Sequence, residues 1–392
     1  MSDNRFLANF ILLSLVSGLT IGLGKIVTTL YALSLGATPF QIGMVSAMES
    51  IGMVIVTVPA GFIIARYGMR SVYFVASLGP LLVNLALPFS ASWVALAVGR
   101  GLIGLCIPFR IVSMNSAFLE RLKSLGQAKA GWYRGTLTGG MAIVGPAAAT
   151  LLTQRLTMFA CFLLVAALFG LMGLFSLSFM PVRQVQTEGA PGFLAELRLI
   201  LSNDDIAESC LIEFLSSATN ALFGTFIILL AIALPPLTEQ DGIHVMLFQG
   251  VTAVAMLLLG GALVERFATR AAYALGLALA SGALLTFGLA GGFAGLAFGA
   301  VLLSAGSAVV HLVNVRMLAA LPGGKSKVAG LYNLASMLGS SFGAIAGGLA
   351  TRIVPLQSIY LIWLPILGVA ALAVQTIHQR RSGIGALVTE AR

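Results

Sequence analysis

The chain has 392 residues, of which 59% are hydrophobic and only 9% are charged, and its mean hydropathy is +1.02. A soluble domain carries about 25% charged residues, so this composition excludes a soluble globular fold and predicts a chain embedded in lipid. The formal net charge of +9 would suggest nucleic-acid binding in a soluble protein. Here the basic residues lie in short connectors between apolar runs, which indicates membrane topology and no nucleic-acid partner.

Long apolar runs predict about twelve membrane-spanning helices, because one crossing needs about 20 apolar residues. The runs do not alternate in polarity as barrel strands do, so the expected fold class is an all-α membrane protein. In chain order the predicted spans lie at about 7–34, 41–64, 71–90, 92–118, 131–153, 157–180, 206–234, 243–264, 272–290, 293–318, 329–351 and 356–377. The first run lacks a cleavage site, so we expect a retained helix and not a signal peptide.

The basic residues also predict the orientation of the chain. With the amino terminus in the cytoplasm, most of the 22 Lys and Arg residues fall on the cytoplasmic side, and Arg155 and Arg352 fall outside. Because cytoplasmic loops carry the excess of basic residues, we expect a multi-pass inner-membrane protein with both termini in the cytoplasm. We expect a monomer without cofactor, and the three histidines show no metal-ligand spacing.

The longest polar connector divides the chain into two halves of six spans. We expect an amino-terminal bundle over 1–180, a cytoplasmic linker over 181–205, a carboxy-terminal bundle over 206–378 and a cytoplasmic tail over 379–392. Apolar residues in the linker follow helical spacing, so the linker either contains a helix on the membrane surface or is irregular.

A repeat at an offset of 200 residues relates the two halves. The aligned pairs are Gly61 and Gly261, Arg66 and Arg266, Arg70 and Arg270, and Glu49 and Gln249. Because each half has six spans, both halves share one orientation, and the repeat is parallel about an axis normal to the membrane.

Three segments carry motifs of a known family. The connector after the second span contains Gly61, Arg66, Gly68 and Arg70. This pattern resembles the signature G-x-x-x-D-R-x-G-R of the major facilitator superfamily, with Ala65 at the acidic position and Glu265 at the corresponding place in the second half. The segment around Arg100 resembles the membrane-embedded arginine motif of the family, with Ile103 in place of Gln, and Gly145-Pro146 is similar to part of its antiporter motif.

The resemblance implies a twelve-helix secondary transporter with two bundles that work by alternating access. It also implies a central cavity lined by spans 1, 4, 7 and 10. The residues expected to gate the cytoplasmic side are Gly61, Arg66, Gly68, Arg70, Glu265, Arg266 and Arg270.

Charged residues inside the spans are the candidates for the site, because a charge at mid-bilayer costs about 2.5–3.5 kcal/mol and therefore faces the protein interior. Lys25, Glu49 and Arg100 fall at a similar depth. We expect one ionic layer there, and the alternative is an ion pair that only joins spans 1 and 2.

A second layer lies nearer the cytoplasm and contains Arg110, Glu213 and His311. Polar side chains continue one helix face from Glu213 and from His311, which indicates either a cavity lining or helix packing. The expected substrate-binding residues are Lys25, Arg100, Arg110, Asn115, Ser217, Asn220 and Asn314. Glu49, Glu213 and His311 are the expected proton carriers, because ionisable groups inside membranes typically form proton relays.

The excess of embedded cations favours an anionic or zwitterionic small solute, carried together with protons. Multidrug efflux and siderophore or metal-chelate transport stay open, and so do import and export. A membrane-embedded enzyme is the alternative from another class, but no nucleophile with a base stands out in the sequence. An ion channel fits less well, because the two related halves favour a rocking carrier.

Overall fold

The computed structural model describes residues 3–125, 132–180, 204–260, 264, 266–320 and 325–369, and every regular element within them is helical. The first six helices are α1 (Asp3–Ser34), α2 (Pro39–Tyr67), α3 (Met69–Ala86), α4 (Trp93–Leu125), α5 (Trp132–Gly139, continued by Gly140–Val144 and Gly145–Arg155) and α6 (Met158–Phe179). The other six are α7 (Asp204–Ile232), α8 (Glu239–Leu259), α9 (Thr269–Leu289), α10 (Phe293–Ala320), α11 (Lys325–Ala350) and α12 (Ser358–Val369).

Within these described ranges, nine helices are long and apolar enough to cross a membrane. The other three, α8, α11 and α12, occupy the places of predicted spans 8, 11 and 12, so the predicted all-α fold is confirmed. The predicted linker lies outside the described residues, apart from its last two positions, which begin α7. The predicted cytoplasmic tail also lies outside them.

Local sequence signals set several helix ends. Thr38 caps α2 in a reciprocal capping box, in which the Gln41 amide accepts from the Thr38 backbone N–H at 2.8 Å. Thr157 caps α6 with its hydroxyl, which accepts from the Ala160 backbone N–H at 3.2 Å. Gly68 joins α2 to α3 with φ of +82°, a conformation that side-chain-bearing residues rarely adopt.

Glycines allow two equivalent pairs of helices to approach closely. A Cβ atom on Gly18 of α1 would overlap the carbonyl oxygen of Leu137 in α5, and one on Gly343 of α11 would overlap that of Ala218 in α7. Small residues permit this backbone contact. The pairs α1–α5 and α7–α11 therefore occupy the same place in the two halves, as expected for two pseudo-symmetric bundles.

The helix pairs α2–α4 and α8–α10 show the same relation at single residues. The Gly104 Cα has no room for a side chain because it lies against the carbonyl oxygen of Glu49. At the positions 200 residues later, the Ser304 hydroxyl donates a hydrogen bond of 2.8 Å to the carbonyl of Gln249. The sequence repeat is thus a structural repeat.

The two bundles touch along α2 and α11 on one side and along α5 and α8 on the other. We call the end at which α1 begins the inner end and the opposite end the outer end. At the outer end, the Arg352 guanidinium lies 3.7 Å from the centre of the Phe40 ring. On the other side, the Gln240 amide donates to Thr153 Oγ1 at 3.2 Å. Both contacts join the bundles near their outer surface.

A π turn interrupts α5 at Gly140–Val144, where three helices meet. Gly140 and Gly145 both pack against the α1 backbone, and the carbonyl oxygen of Ala142 lies against Gly250 of α8. The turn therefore lies between the α1 contact and the contact with the second bundle.

We predict that Gly343→Ala destabilises the protein by about 1–3 kcal/mol, because the added methyl group overpacks a backbone contact. Gly135→Ala is the matched control, since nothing lies within 4 Å of its Cβ position and both glycines are helical. Reaction of the buried Cys161 and Cys210 with a thiol dye during heating reports unfolding. Equal melting temperatures for the two variants would contradict the packing assigned to α7 and α11.

Candidate functional site

Lys25 lies on the face of α1 that points between α4 and α5. Gly18 and Gly22 of α1 pack on α5, whereas Ser17 and Gly24 approach arginines of α4. Because successive residues of an α-helix are rotated by about 100°, Lys25 lies between these two faces of α1. Its side chain is exposed. The ammonium makes no hydrogen bond or ion pair with any residue that the structure describes.

A buried ion pair lies beside Lys25. The guanidinium of Arg100 in α4 bonds the carboxylate of Glu49 in α2, and these residues are only 5% and 4% exposed. A Cβ on Gly24 would lie 3.8 Å from Arg100 Nη1, so the pair approaches α1 next to Lys25. The three charges predicted to share one depth are therefore neighbours, and together they carry one net positive charge.

Arg110 points into the amino-terminal bundle and not into the central space. It is 2% exposed and donates to Tyr73 Oη at 3.0 Å and to Ser17 Oγ at 3.2 Å. Its guanidinium also lies 4.6 Å from the centre of the Phe169 ring, a cation–π contact. We therefore leave Arg110, a predicted binding residue, out of the proposed solute site.

Glu213 belongs to a hydrogen-bonded network within the second bundle. The Tyr332 hydroxyl of α11 donates to the Glu213 carboxylate, and the Asn314 amide of α10 donates to the same carboxylate at 3.3 Å and to Tyr332 Oη at 2.8 Å. The Tyr273 hydroxyl of α9 donates to Asn314 Oδ1 at 2.5 Å. Asn314 is fully buried. Its amide thus connects Glu213 to two tyrosines.

Two further predicted residues lie next to this network. The His311 ring is 6.2 Å from the Tyr332 ring, centre to centre. The Ser217 hydroxyl lies 3.4 Å from Glu213 Oε1 and 2.7 Å from the Ser336 hydroxyl of α11. The structure therefore brings Glu213 and His311 into one region, as their depth in the sequence predicts.

A group of neutral polar side chains lies one to two turns further along α7. The Asn220 amide donates to Ser307 Oγ of α10 at 2.7 Å and accepts from the Gln249 amide of α8 at 3.1 Å. All three side chains are partly exposed. A Cβ on Gly224, one turn beyond Asn220, would meet no atom within 4 Å. These residues therefore border open space with amide and hydroxyl groups.

The remaining predicted residues lie toward the inner end. Asn115 of α4 is exposed, as are Arg66, Arg266 and Arg270, whereas Arg70 is half-buried. The Arg66 guanidinium lies 5.4 Å from the centre of the Tyr67 ring. Gly68 forms the turn between α2 and α3, and the backbone of Gly61 belongs to α2. Glu265 lies outside the described residues.

Tyr332 and Gln249 are two of the residues near the site that are not among the candidates selected from the sequence. Tyr332 is a single aromatic residue in an apolar span, and its sequence context gives no signal for a carboxylate partner. Gln249 could have been found from the sequence repeat, because it aligns with the candidate residue Glu49. The same repeat relates Tyr73 to Tyr273, and each tyrosine bonds the buried polar residue of the following helix.

The three charges around Lys25 have no charged counterparts in the second bundle. The positions 200 residues after Lys25, Glu49 and Arg100 hold Thr225, Gln249 and Ala300. Conversely, Leu13 stands 200 residues before Glu213. The two similar bundles therefore carry different ionisable residues at equivalent positions.

A sequence profile described as Major Facilitator Superfamily matches residues 8–244, which is more than half of the chain. The chain belongs to the Major Facilitator Superfamily. Membership makes it a multi-pass membrane transporter of solutes and not an enzyme, as predicted. No curated protein matches the chain by sequence.

Solved structures of superfamily transporters share the fold at low sequence identity. The nucleoside transporter NupG matches with a TM-score of 0.79 and 15% identity, over 95% of this chain and 99% of that one. The human organic anion transporter MFSD10 matches with a TM-score of 0.65 and 16% identity, over 95% and 100%. A bacterial homologue of the human lysosomal transporter Spinster, inward-facing and unoccupied, matches with a TM-score of 0.70 and 14% identity, over 96% and 95%.

We predict that Asn314→Leu destabilises the transporter by about 1–3 kcal/mol, because it leaves the buried Tyr273 hydroxyl without its amide partner. Adding Tyr273→Phe removes that hydroxyl, so the double variant should regain part of the lost stability. Melting of the purified protein in detergent measures both effects. Losses that simply add in the double variant would show that the two side chains do not interact.

Proposed function

We propose that the protein is a proton-coupled secondary transporter that moves a small organic anion or zwitterion across the inner membrane by alternating access. The observation that carries the proposal is the exposed Lys25 side chain beside the Arg100–Glu49 ion pair. Because the pair is neutral as a unit, Lys25 leaves one uncompensated positive charge at the central space. A negative group of the solute would compensate that charge.

The second bundle would bind the rest of the solute by hydrogen bonds. Asn220, Gln249 and Ser307 supply amide and hydroxyl groups at partly exposed positions. Neutral groups such as these recognise amides, hydroxyls or ring nitrogens. A solute with a negative end and a neutral polar end would therefore bind in one orientation, with its negative end toward α1.

Glu213 and His311 are the proposed proton carriers, whereas Glu49, the third residue expected to carry protons, is paired with Arg100. Glu213 accepts hydrogen bonds from Tyr332 and Asn314, so protonation of its carboxylate would rearrange these bonds. Protonation would thus alter contacts among α7, α10 and α11. This coupling between a proton and helix packing is what a proton-driven carrier requires.

The contacts between the bundles support movement of one bundle against the other. Two contacts hold the outer ends of the bundles together. Arg352 packs on the Phe40 ring, and the Gln240 amide donates a hydrogen bond to Thr153. In alternating access these contacts would break when the cavity opens outward, and the connectors at Arg66, Arg70 and Arg266 would close the inner side. We propose that this inner side is the cytoplasm and that both termini lie there.

Drug efflux is the second candidate, and the Gly145-Pro146 segment after the π turn favours it. Organic cations and neutral dyes would then be the cargo, and the charge of Lys25 would weaken their binding. A panel of small organic acids, zwitterions and dyes, each tested with and without a protonophore, separates the two candidates. Preferential transport of cationic dyes would contradict the anion proposal.

We predict that Lys25→Met lowers the initial rate of anion uptake into reconstituted vesicles by about tenfold or more, since an ion pair at 4 Å is worth about 4 kcal/mol at an effective dielectric constant of 20. Lys25→Arg keeps the charge and should retain most of the activity. The panel described above supplies the cargo. Wild-type uptake of every anion by Lys25→Met would overturn the proposed site.

We predict that Glu213→Gln and His311→Ala each reduce uptake driven by a pH gradient more than exchange of cargo at equal pH. Exchange without net proton movement does not need the proton carrier, so it serves as the internal control. Vesicles with a pH-sensitive dye measure proton flux together with cargo. Full pH-driven transport in both variants would remove these residues from the proposed mechanism.

A further inference from the structure

We propose that Glu49 sets the charge of the anion that the transporter accepts, and that the transporter therefore selects monoanions over dianions. This inference rests on the proposed anion site at Lys25 and adds the valence of the cargo. Its basis is the count of charges in one small region: Lys25 and Arg100 contribute two positive charges, and Glu49 removes one.

The packing of α2 on α4 fixes the position of Glu49. Gly104 lies against the Glu49 carbonyl, and Gly52, three residues further along α2, lies against the carbonyl of Gly101. Close contact on both sides of the ion pair prevents α2 from sliding along α4. The carboxylate therefore stays on Arg100 when a solute enters, and it acts as a resident counter-ion.

The second bundle shows that this helix pairing does not need an ion pair. The equivalent helices α8 and α10 pack with Gln249 and Ala300 at the positions of Glu49 and Arg100, and Ser304 donates to the Gln249 carbonyl. A buried ion pair costs desolvation free energy that a neutral pair avoids. Since the same fold is built without these charges, we infer that the charges act on the solute.

The valence of the solute follows from charge balance in a medium of low dielectric constant. When a solute with one negative charge binds beside Lys25, the charges of Lys25, Arg100, Glu49 and the solute sum to zero. A dianion leaves one uncompensated negative charge near Glu49. The second negative group of the dianion and the Glu49 carboxylate then repel each other. Monoanions are therefore the preferred cargo of the wild-type protein.

Binding of benzoate and phthalate to the purified transporter tests this inference, at constant ionic strength and at a pH where both phthalate carboxyls are ionised. The two probes share a ring and differ in charge. Binding to the Lys25→Met variant measures the part that does not depend on the site. This part is subtracted from the binding measured for wild type and for the other variants. We expect wild type to bind benzoate more tightly than phthalate.

Two variants raise the net charge around Lys25, and a third restores the wild-type net charge without the ion pair. Glu49→Gln leaves two net positive charges, and we expect it to shift the affinity ratio toward phthalate by about tenfold or more. The double variant Glu49→Gln/Arg100→Gln returns the count to one, so it should regain the benzoate preference without the ion pair. Thr29→Lys adds a cation one turn from Lys25 and leaves Glu49 and Arg100 in place, so it should also favour phthalate.

The outcomes separate the two proposals. If benzoate binding depends on Lys25 but Glu49→Gln leaves the ratio unchanged, the inference on valence is wrong and the anion site stands. If neither anion shows binding that depends on Lys25 in wild type, the proposed anion site is wrong and the inference falls with it. Should Glu49→Gln fail to fold, Thr29→Lys decides, and an unchanged ratio in that variant overturns the inference.

Discussion

The structure depends on one constraint, which is that each ionised side chain within the membrane needs a partner or access to water. Arg100 meets the constraint with Glu49, and Arg110 meets it with the Tyr73 hydroxyl and aromatic ring faces. Lys25 meets it through the exposure of its side chain. The three basic residues are similar in charge but differ in environment, and of the three only Lys25 is exposed.

Duplication gives two bundles with the same helix packing but different chemistry. Equivalent contacts preserve the backbone arrangement in both halves. Gly18 and Gly343 form one such pair of contacts, and Gly104 and Ser304 form another. The ionisable residues are free to differ because the glycine and hydroxyl contacts maintain the packing. The two halves therefore share one architecture and carry different ionisable groups.

Sequence reasoning predicted the fold because apolar runs of spanning length leave few alternatives. It also predicted that Lys25, Glu49 and Arg100 share a depth, since residue counting along helices measures depth well. It could not assign the direction of Arg110, because one embedded residue does not reveal how its helix is rotated against its neighbours. Tyr332 was missed because its partner Glu213 lies 119 positions earlier in the chain, and only tertiary packing brings them together.

The π turn in α5 sets the direction that the outer part of this helix faces. A π turn accommodates one residue more than a regular turn, which allows Gly140 and Gly145 to face α1 although they are five positions apart. If the same residues were wound as a regular α-helix, the outer part of α5 would be rotated by about 100°. Thr153 would then leave Gln240, so the joint between the bundles depends on the π winding at Gly140–Val144.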